Sequence, residues 1–393
     1  MTPSSPAATH PTPAAALSGK ALTPEQFDLL ATEHAAKQAR IVEILERRRA
    51  DAVVLSSPAT LGWFLGGART HISLAGAPIV RALVHHGGTE LGVFSNESER
   101  LRAEELGGTE GVTVHDVDWH GSLEDVAGWF PAAAGWTVLD QAEVEAELRA
   151  ARSPLLPGEV ERYRGLCQET AVVLTDVLTA TTAETTEREV AAALAAGLVR
   201  IGADPVVLLV SGEHRAAHRH PLPTTAPLGR RAMAVVCARR DGLIANATRW
   251  VAFGEPVDGE EEADAAILEV EREILDALRP GEPLTGMLPL IQASYPRHGF
   301  AEDEWTRHHQ GGVAGYDGRD PRLSPGLPDA IVADQAFAWN PSASGPDGVT
   351  AKVEDTALLT LRDGEPFVDV LSVDPRWPAV EVGGRLRPAV LRR

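Results

Sequence analysis

The sequence predicts a two-domain α/β (α+β) protein, and three observations carry that expectation. The chain has 393 residues, beyond the roughly 250 to 300 at which a single hydrophobic core stops growing. Apolar runs of strand length alternate with helix-spaced amphipathic runs as far as residue 152, the signature of an α/β domain. Beyond a break containing two prolines and a glycine, two long helix-spaced runs lead into a β-hairpin pattern, and the chain later returns to strands.

The first domain is expected over residues 23–152. Thr23 to Arg49 keeps a helical apolar spacing and opens with Thr23-Pro24, an N-cap followed by proline in the first turn. A long helix follows from that. ADAVVLSS, ALVHH and LGVFS read as strands, ESERLRAEEL as a helix, and VTVHDVDW and WTVLD as closing strands. Residues 1–22 are rich in Ala, Pro, Thr and Ser; without a basic start or an apolar stretch they are no secretory signal, and a disordered tail is expected.

The second domain, residues 153–393, begins in the segment Arg152-Ser153-Pro154-Leu155-Leu156-Pro157-Gly158. Residues 158–181 and 186–202 are amphipathic at helical spacing, and Thr186-x-x-Glu189 approximates a capping box. Val206–Val210 reads as a strand. EEEADAAILEVEREILDAL reads as an acidic helix ended by Arg279-Pro280-Gly281, PLTGMLPLIQASYPRHGF as a further helix, and FAWNPS, KVEDTALLTL and FVDVLS as strands.

Composition limits the partners. No segment approaches the roughly 18 to 20 uncharged apolar residues of a membrane span. The net charge of −20, from 56 acids against 36 bases, leaves no cationic footprint for nucleic acid or anionic lipid. Two cysteines, Cys167 and Cys237, fit a reducing compartment rather than a disulfide scaffold, so a cytoplasmic protein is expected.

The chemistry gathers around Arg230 to Phe253. An apolar run, Ala232 to Ala238, meets a charged turn at Arg239–Gly242, and a second β-type run carries Asn246, Thr248 and Arg249 back across it. Asp241-Gly242 is a natural turn pair. Ahead of the hairpin, His220 lies in HRHPLPTT; it reads either as a general acid or base suited to neutral pH or as one of several loop histidines, with His214 and His218, that cap surface backbone. Cys237, at a strand end, reads either as a nucleophile or as a buried, inert thiol.

Five ordered landmarks, namely His220, the hairpin with Thr248-Arg249, His308-His309-Gln310-Gly311-Gly312, Asn340-Pro341 and Glu354-Asp355, resemble the pita-bread superfamily of creatinase, aminopeptidase P, prolidase and methionine aminopeptidase. The resemblance covers about residues 25 to 375 and implies a creatinase-like N-terminal domain followed by a pita-bread domain. It implies further that His220, 17 positions before Cys237, is the catalytic loop histidine. Cys237 and Asn246 fall where two metal-bridging aspartates stand in the peptidases, His309 or His308 at the metal histidine with His309 favoured, and Asn340 and Glu354 at two glutamates.

On that alignment one carboxylate and one histidine remain of five ligands. Hard divalent ions need anionic oxygens, and a two-ion site needs acids bridging ions about 3.5 to 4 Å apart, so no metal or other cofactor is expected. The segment Ala314 to Asp320 is closer to creatinase, which implies that Arg319 pairs a substrate carboxylate through its guanidinium fork; a surface ion pair with Asp317 or Asp320 is the other reading. The function expected is therefore a metal-independent, creatinase-like C–N hydrolase of a small carboxylate-bearing guanidino or amide substrate. His220 would move the proton, Glu354 would orient it or bind a cationic group, and Asn246, Asn340 and His309 would supply neutral hydrogen bonds. Two alternatives stand beside it: a Xaa-Pro aminopeptidase or dipeptidase that retains Mn, Co, Fe or Zn and acts on a short peptide, and a non-catalytic binding or regulatory protein. The resemblance also implies a homodimer.

Overall fold

Thr23 starts the first long helix, Pro24–Arg48, through a reciprocal capping box: its Oγ1 accepts from the Gln26 amide while its own amide donates to Gln26 Oε1. The computed structural model describes residues 16–17, 19–109, 111–345 and 348–393. Of the expected tail, residues 1–15 and 18 lie outside the described residues; Ala16–Leu17 pairs with Lys20–Ala21.

Two compact units divide the chain, Met1–Gln141 and Ala142–Arg393. The division falls ahead of the helix Glu145–Arg152, not after it at the proline-rich break. Charge pairing explains why this helix belongs to the second unit: Arg149 donates to both oxygens of Asp329 and Arg152 pairs with Asp320 and Glu145.

The first unit holds a five-stranded sheet in the order Val112–Val117, Gly88–Phe94, Val80–His85, Ala52–Leu55, Val138–Asp140. Its two outer pairings are parallel and its inner two antiparallel. The strand Ala52–Leu55 is wholly buried, as a continuous apolar run with no polar alternation requires. The strands and helices read from the sequence are present, with bounds moved by a few residues.

In the second unit an order of two helices followed by three strands occurs twice. Pro157–Thr179 and Glu187–Arg200 precede Asp204–Ser211, Arg231–Arg240 and Leu243–Ala252; Glu260–Ala277 and Met287–Arg297 precede Gly311–Ala314, Gln335–Trp339 and Asp355–Arg362. These six strands lie in one eight-stranded sheet, with Asp355–Arg362 beside Leu243–Ala252 joining the two sets and Glu365–Val370 and Leu391–Arg392 completing it. A core of Ile267, Ile274, Ile291, Tyr295, Phe337 and Trp339 packs the later helices on the sheet. Pro341 has no N–H for a ladder, and the strand expected through Asn340-Pro341 stops at Trp339; a separate pair, Ser342–Ser344 with Thr350–Lys352, takes over. The C-terminal hairpin Ala379–Val382 with Arg385–Pro388, which turns at Gly383-Gly384, was not read from the sequence. Among the described residues no helix is long and apolar enough to cross a membrane.

Candidate functional site

Strands Arg231–Arg240 and Leu243–Ala252 are joined by Asp241 and Gly242 at φ 51° and 76°, both left-handed, as a two-residue hairpin turn of the I′ class demands. Its register sets Cys237 directly opposite Asn246. The Cys237 thiol donates to Asn246 Oδ1 at 3.2 Å, and burial pushes its pKa up to about 12. A thiol held protonated by burial is a poor nucleophile, which favours the buried-thiol reading of Cys237.

Side chains alternate along a strand, so Asn246 and Thr248 share one face while Arg249 takes the other. Thr248 Oγ1 donates to Glu354 Oε2 at 3.0 Å. On the opposite face Arg249 donates to Asp355 at 2.9 Å, and Arg387 bridges Asp355 and Glu271. Thr248-Arg249 and Glu354-Asp355 are thus held together by a buried polar network behind the site.

Glu354 is the carboxylate at its centre. Arg319 Nη2 donates to Oε1 at 2.6 Å, and Lys352 Nζ stands 3.6 Å from Oε2. Arg319 Nη1 also donates to Asn246 Oδ1 at 3.0 Å, while its Nε is buried without a hydrogen-bond partner among the described residues. Burial alone would raise the Glu354 pKa, but Lys352 and Arg319 outweigh it and hold the carboxyl below its ordinary value. For Lys352, burial pulls the ammonium pKa down against the pull of Glu354.

Arg319 is not a surface group paired with Asp317 or Asp320: its guanidinium is engaged by Glu354 and Asn246, and Asp320 pairs with Arg152. Lys352 was missed by the sequence reading altogether. Its signal was a lone lysine in the apolar run Val349-Thr350-Ala351-Lys352-Val353, two residues before Glu354.

The histidines come from two segments that are tied together. Arg219, beside His220, pairs with the buried Glu304, which Arg307 also meets at 3.2 Å. Gln310 fixes the next turn, donating to the carbonyls of Trp305 and His308 and accepting from Tyr295 Oη. Gly311 and Gly312 have φ of 106° and 150°, and a Cβ on either would collide with the carbonyl oxygen of Ala338 or Pro321; glycine is required for this close backbone approach.

His308 is buried, with Nδ1 3.1 Å from Ser342 Oγ and Nε2 3.2 Å from His220 Nε2. His309 lines the cavity with His220, their rings stacked at 5.7 Å. Burial lowers the pKa of all three, to about 2 for His308 and about 3 for His309, with Lys352 and Arg319 adding to it. At neutral pH the three imidazoles are neutral.

The cavity these groups surround has a volume of about 430 Å³. His220, Cys237, Asn246, His309, Arg319, Asn340 and Glu354 all line it, together with Lys352 and Arg322; His308 stands behind. Asn340 Oδ1 is buried there without a partner among the described residues. All eight residues singled out by sequence reasoning are therefore brought to one site.

Its donor set does not fit a carboxylate-bridged pair of divalent ions. A protonated thiol and two amides supply no charge, and the one carboxylate already accepts from a guanidinium and a hydroxyl and faces an ammonium. Hard cations need several anionic oxygens at about 2.0 to 2.6 Å, and two protein cations stand where those ions would repel them.

Comparison with known proteins agrees with this architecture. The family model described as metallopeptidase family M24 matches residues 161–361. Comparison with curated protein sequences returns no match. Among solved structures, the prolidase from Pyrococcus horikoshii OT3 is similar with a TM-score of 0.70 at 18% identity, covering 86% of this chain and 99% of that one. The dipeptidase PepE from Mycobacterium ulcerans has a TM-score of 0.71 at 18% identity over 93% of this chain and 99% of its own. The X-Pro aminopeptidase from Thermotoga maritima MSB8 has a TM-score of 0.67 at 16% identity over 91% and 100%. At these identities the likeness is one of fold: an N-terminal α/β domain and a C-terminal pita-bread domain.

Proposed function

We propose that this chain, which belongs to metallopeptidase family M24, hydrolyses a C–N bond in a small carboxylate-bearing substrate without a bridged pair of metal ions. One observation carries the reading: Glu354 is held between Arg319 and Lys352, so the charge that ions supply elsewhere in such a site is supplied here by protein cations. Two cations against one carboxylate leave a surplus positive charge, to which exposed Arg322 adds. That surplus suits an anionic substrate group or a developing oxyanion.

His220 is the proton carrier in this account. Its imidazole is neutral at pH 7, exposed, and lines the cavity, so it accepts a proton from water and returns one to the leaving nitrogen. Asn340 and Asn246 offer neutral hydrogen bonds, and Cys237 contributes shape. The substrate is an amide, a guanidino compound or a short peptide; a homodimer is proposed by resemblance to creatinase and aminopeptidase P. The test is turnover of a panel of creatine-like, N-acyl and Xaa-Pro compounds by chelator-treated protein, with a His220→Ala control.

A second reading keeps closer to the peptidase side of the family, to which the similar prolidase, dipeptidase and X-Pro aminopeptidase structures belong. It is a Xaa-Pro peptidase that retains one ion, and the observation that favours it is the cluster of His220, His308 and His309. Loss of turnover in chelator, restored by a single equivalent of metal, would select it.

A further inference from the structure

We infer that His220, His308 and His309 form a site for one imidazole-seeking divalent ion of the zinc class, and that its occupancy withdraws His220 from proton transfer. The regulatory half of this inference rests on His220 being the proton carrier; the binding half does not.

The geometry is that of ligands already gathered. One ligand nitrogen from each ring lies within 4.8 Å of the other two. His308 Nε2 and His220 Nε2 are 3.2 Å apart, close to the roughly 3.3 Å that separates two nitrogens bound to one tetrahedral zinc at Zn–N distances of about 2.0 to 2.1 Å. Without an ion, one of these two nitrogens must carry a proton and donate to the other. With one, both lone pairs point to a common centre.

The surroundings fix the rings for this purpose. When His308 Nδ1–H donates to Ser342 Oγ, the lone pair is left on Nε2, the nitrogen that faces His220. Ser342 is itself held, its amide donating to Tyr295 Oη, which donates to Gln310 Oε1. Such an outer partner sets the tautomer and orientation of a ligating imidazole. Among the described residues His309 Nδ1 is buried without a hydrogen-bond partner, a cost that ligation or a bound water would relieve. With His220 and His309 lining the cavity, a fourth position is open to water or an anion.

The charges facing the cluster set which ion it takes. Lys352, Arg319 and Arg322 oppose a cation, Arg219 is paired with Glu304, and Glu354 favours one. Three neutral nitrogens in that field discriminate against Mg²⁺, Ca²⁺ and Mn²⁺, which seek carboxylates, and favour Zn²⁺, Co²⁺, Ni²⁺ or Cu²⁺, preferably with an anion in the fourth position.

Full-length protein stripped of metal and titrated with Co²⁺, read by the visible bands of tetrahedral cobalt and competed with Zn²⁺, tests the site. One equivalent is expected to bind, with affinity lowered on the order of 100-fold in His308→Ala and in His309→Asn, the second variant guarding against misfolding of the first; Mn²⁺ should not compete. No tetrahedral spectrum, or a spectrum unchanged in both variants, overturns the site. Turnover measured in parallel is expected to fall in proportion to zinc occupancy. Binding accompanied by a rise in turnover upholds the site and overturns both the inhibitory role and the reading of His220 as proton carrier.

Discussion

Lys352 Nζ stands 3.6 Å from Glu354 Oε2, with both side chains almost fully buried. Arg319 meets the other carboxylate oxygen, so Glu354 joins two cations that would otherwise repel each other in a medium of low dielectric. Replacing Glu354 by glutamine leaves both uncompensated. The expected cost is about 3 to 5 kcal/mol, read as a fall in the denaturant midpoint.

The same carboxylate has a pH signature. Its folded pKa lies below the ordinary value, so the native state binds the proton less readily than the unfolded chain. The contribution of Glu354 is thus fully present above about pH 4.3 and is lost as pH falls through the folded pKa. Wild-type protein should lose stability in that acid range more steeply than Glu354→Gln; parallel slopes would remove Glu354 from the account.

Cys237 should resist alkylation. With its pKa at about 12, its thiolate fraction at pH 8 is smaller than that of a free thiol of pKa 8.5 by about three orders of magnitude. Iodoacetamide labelling of native protein at pH 8 is expected to be slower by a factor of that order, and Cys237→Ser should retain turnover. Rapid labelling of Cys237 would revive it as a nucleophile.

Restoring the acids alone should not restore a two-ion site. In a Cys237→Asp, Asn246→Asp, Asn340→Glu variant, Arg319 and Lys352 still engage Glu354, so Mn²⁺ binding followed by electron paramagnetic resonance should remain close to that of the wild type. Adding Lys352→Ala and Arg319→Ala should raise it. Tight binding of two Mn²⁺ by the first variant would show that the cations are bystanders.

These predictions depend on residues that were legible in the sequence to different degrees. The five landmarks were readable because each is a short local motif, and the hairpin brings Cys237 and Asn246 face to face by register alone. Lys352 left only a faint trace, a lone lysine in an apolar run, because nothing local fixes whether a lysine near a strand end turns inward or to solvent. The separation of His308 from His309 depends on Ser342, 34 positions away, and the engagement of Arg319 on Asn246, 73 positions away. The domain division moved for a similar reason: Arg149 finds Asp329 across 180 positions. A strand as short as Ala379–Val382 shows only one step of apolar alternation, Val380-Glu381-Val382, too little for a periodic signal.

His220 carries the proton in the proposed reaction, and its replacement by alanine is expected to lower kcat by about 10² to 10⁴ with little change in KM. Equal turnover by His220→Ala would assign the proton to another group.

Turnover in the presence of chelator tests the central claim most directly. Protein dialysed against EDTA should hydrolyse its best substrate from the creatine-like, N-acyl and Xaa-Pro panel at an undiminished rate, or a higher one if zinc had been bound at the histidines. A rate that vanishes in EDTA and returns with Mn²⁺ or Co²⁺ would contradict the claim that Arg319 and Lys352 stand in for metal ions.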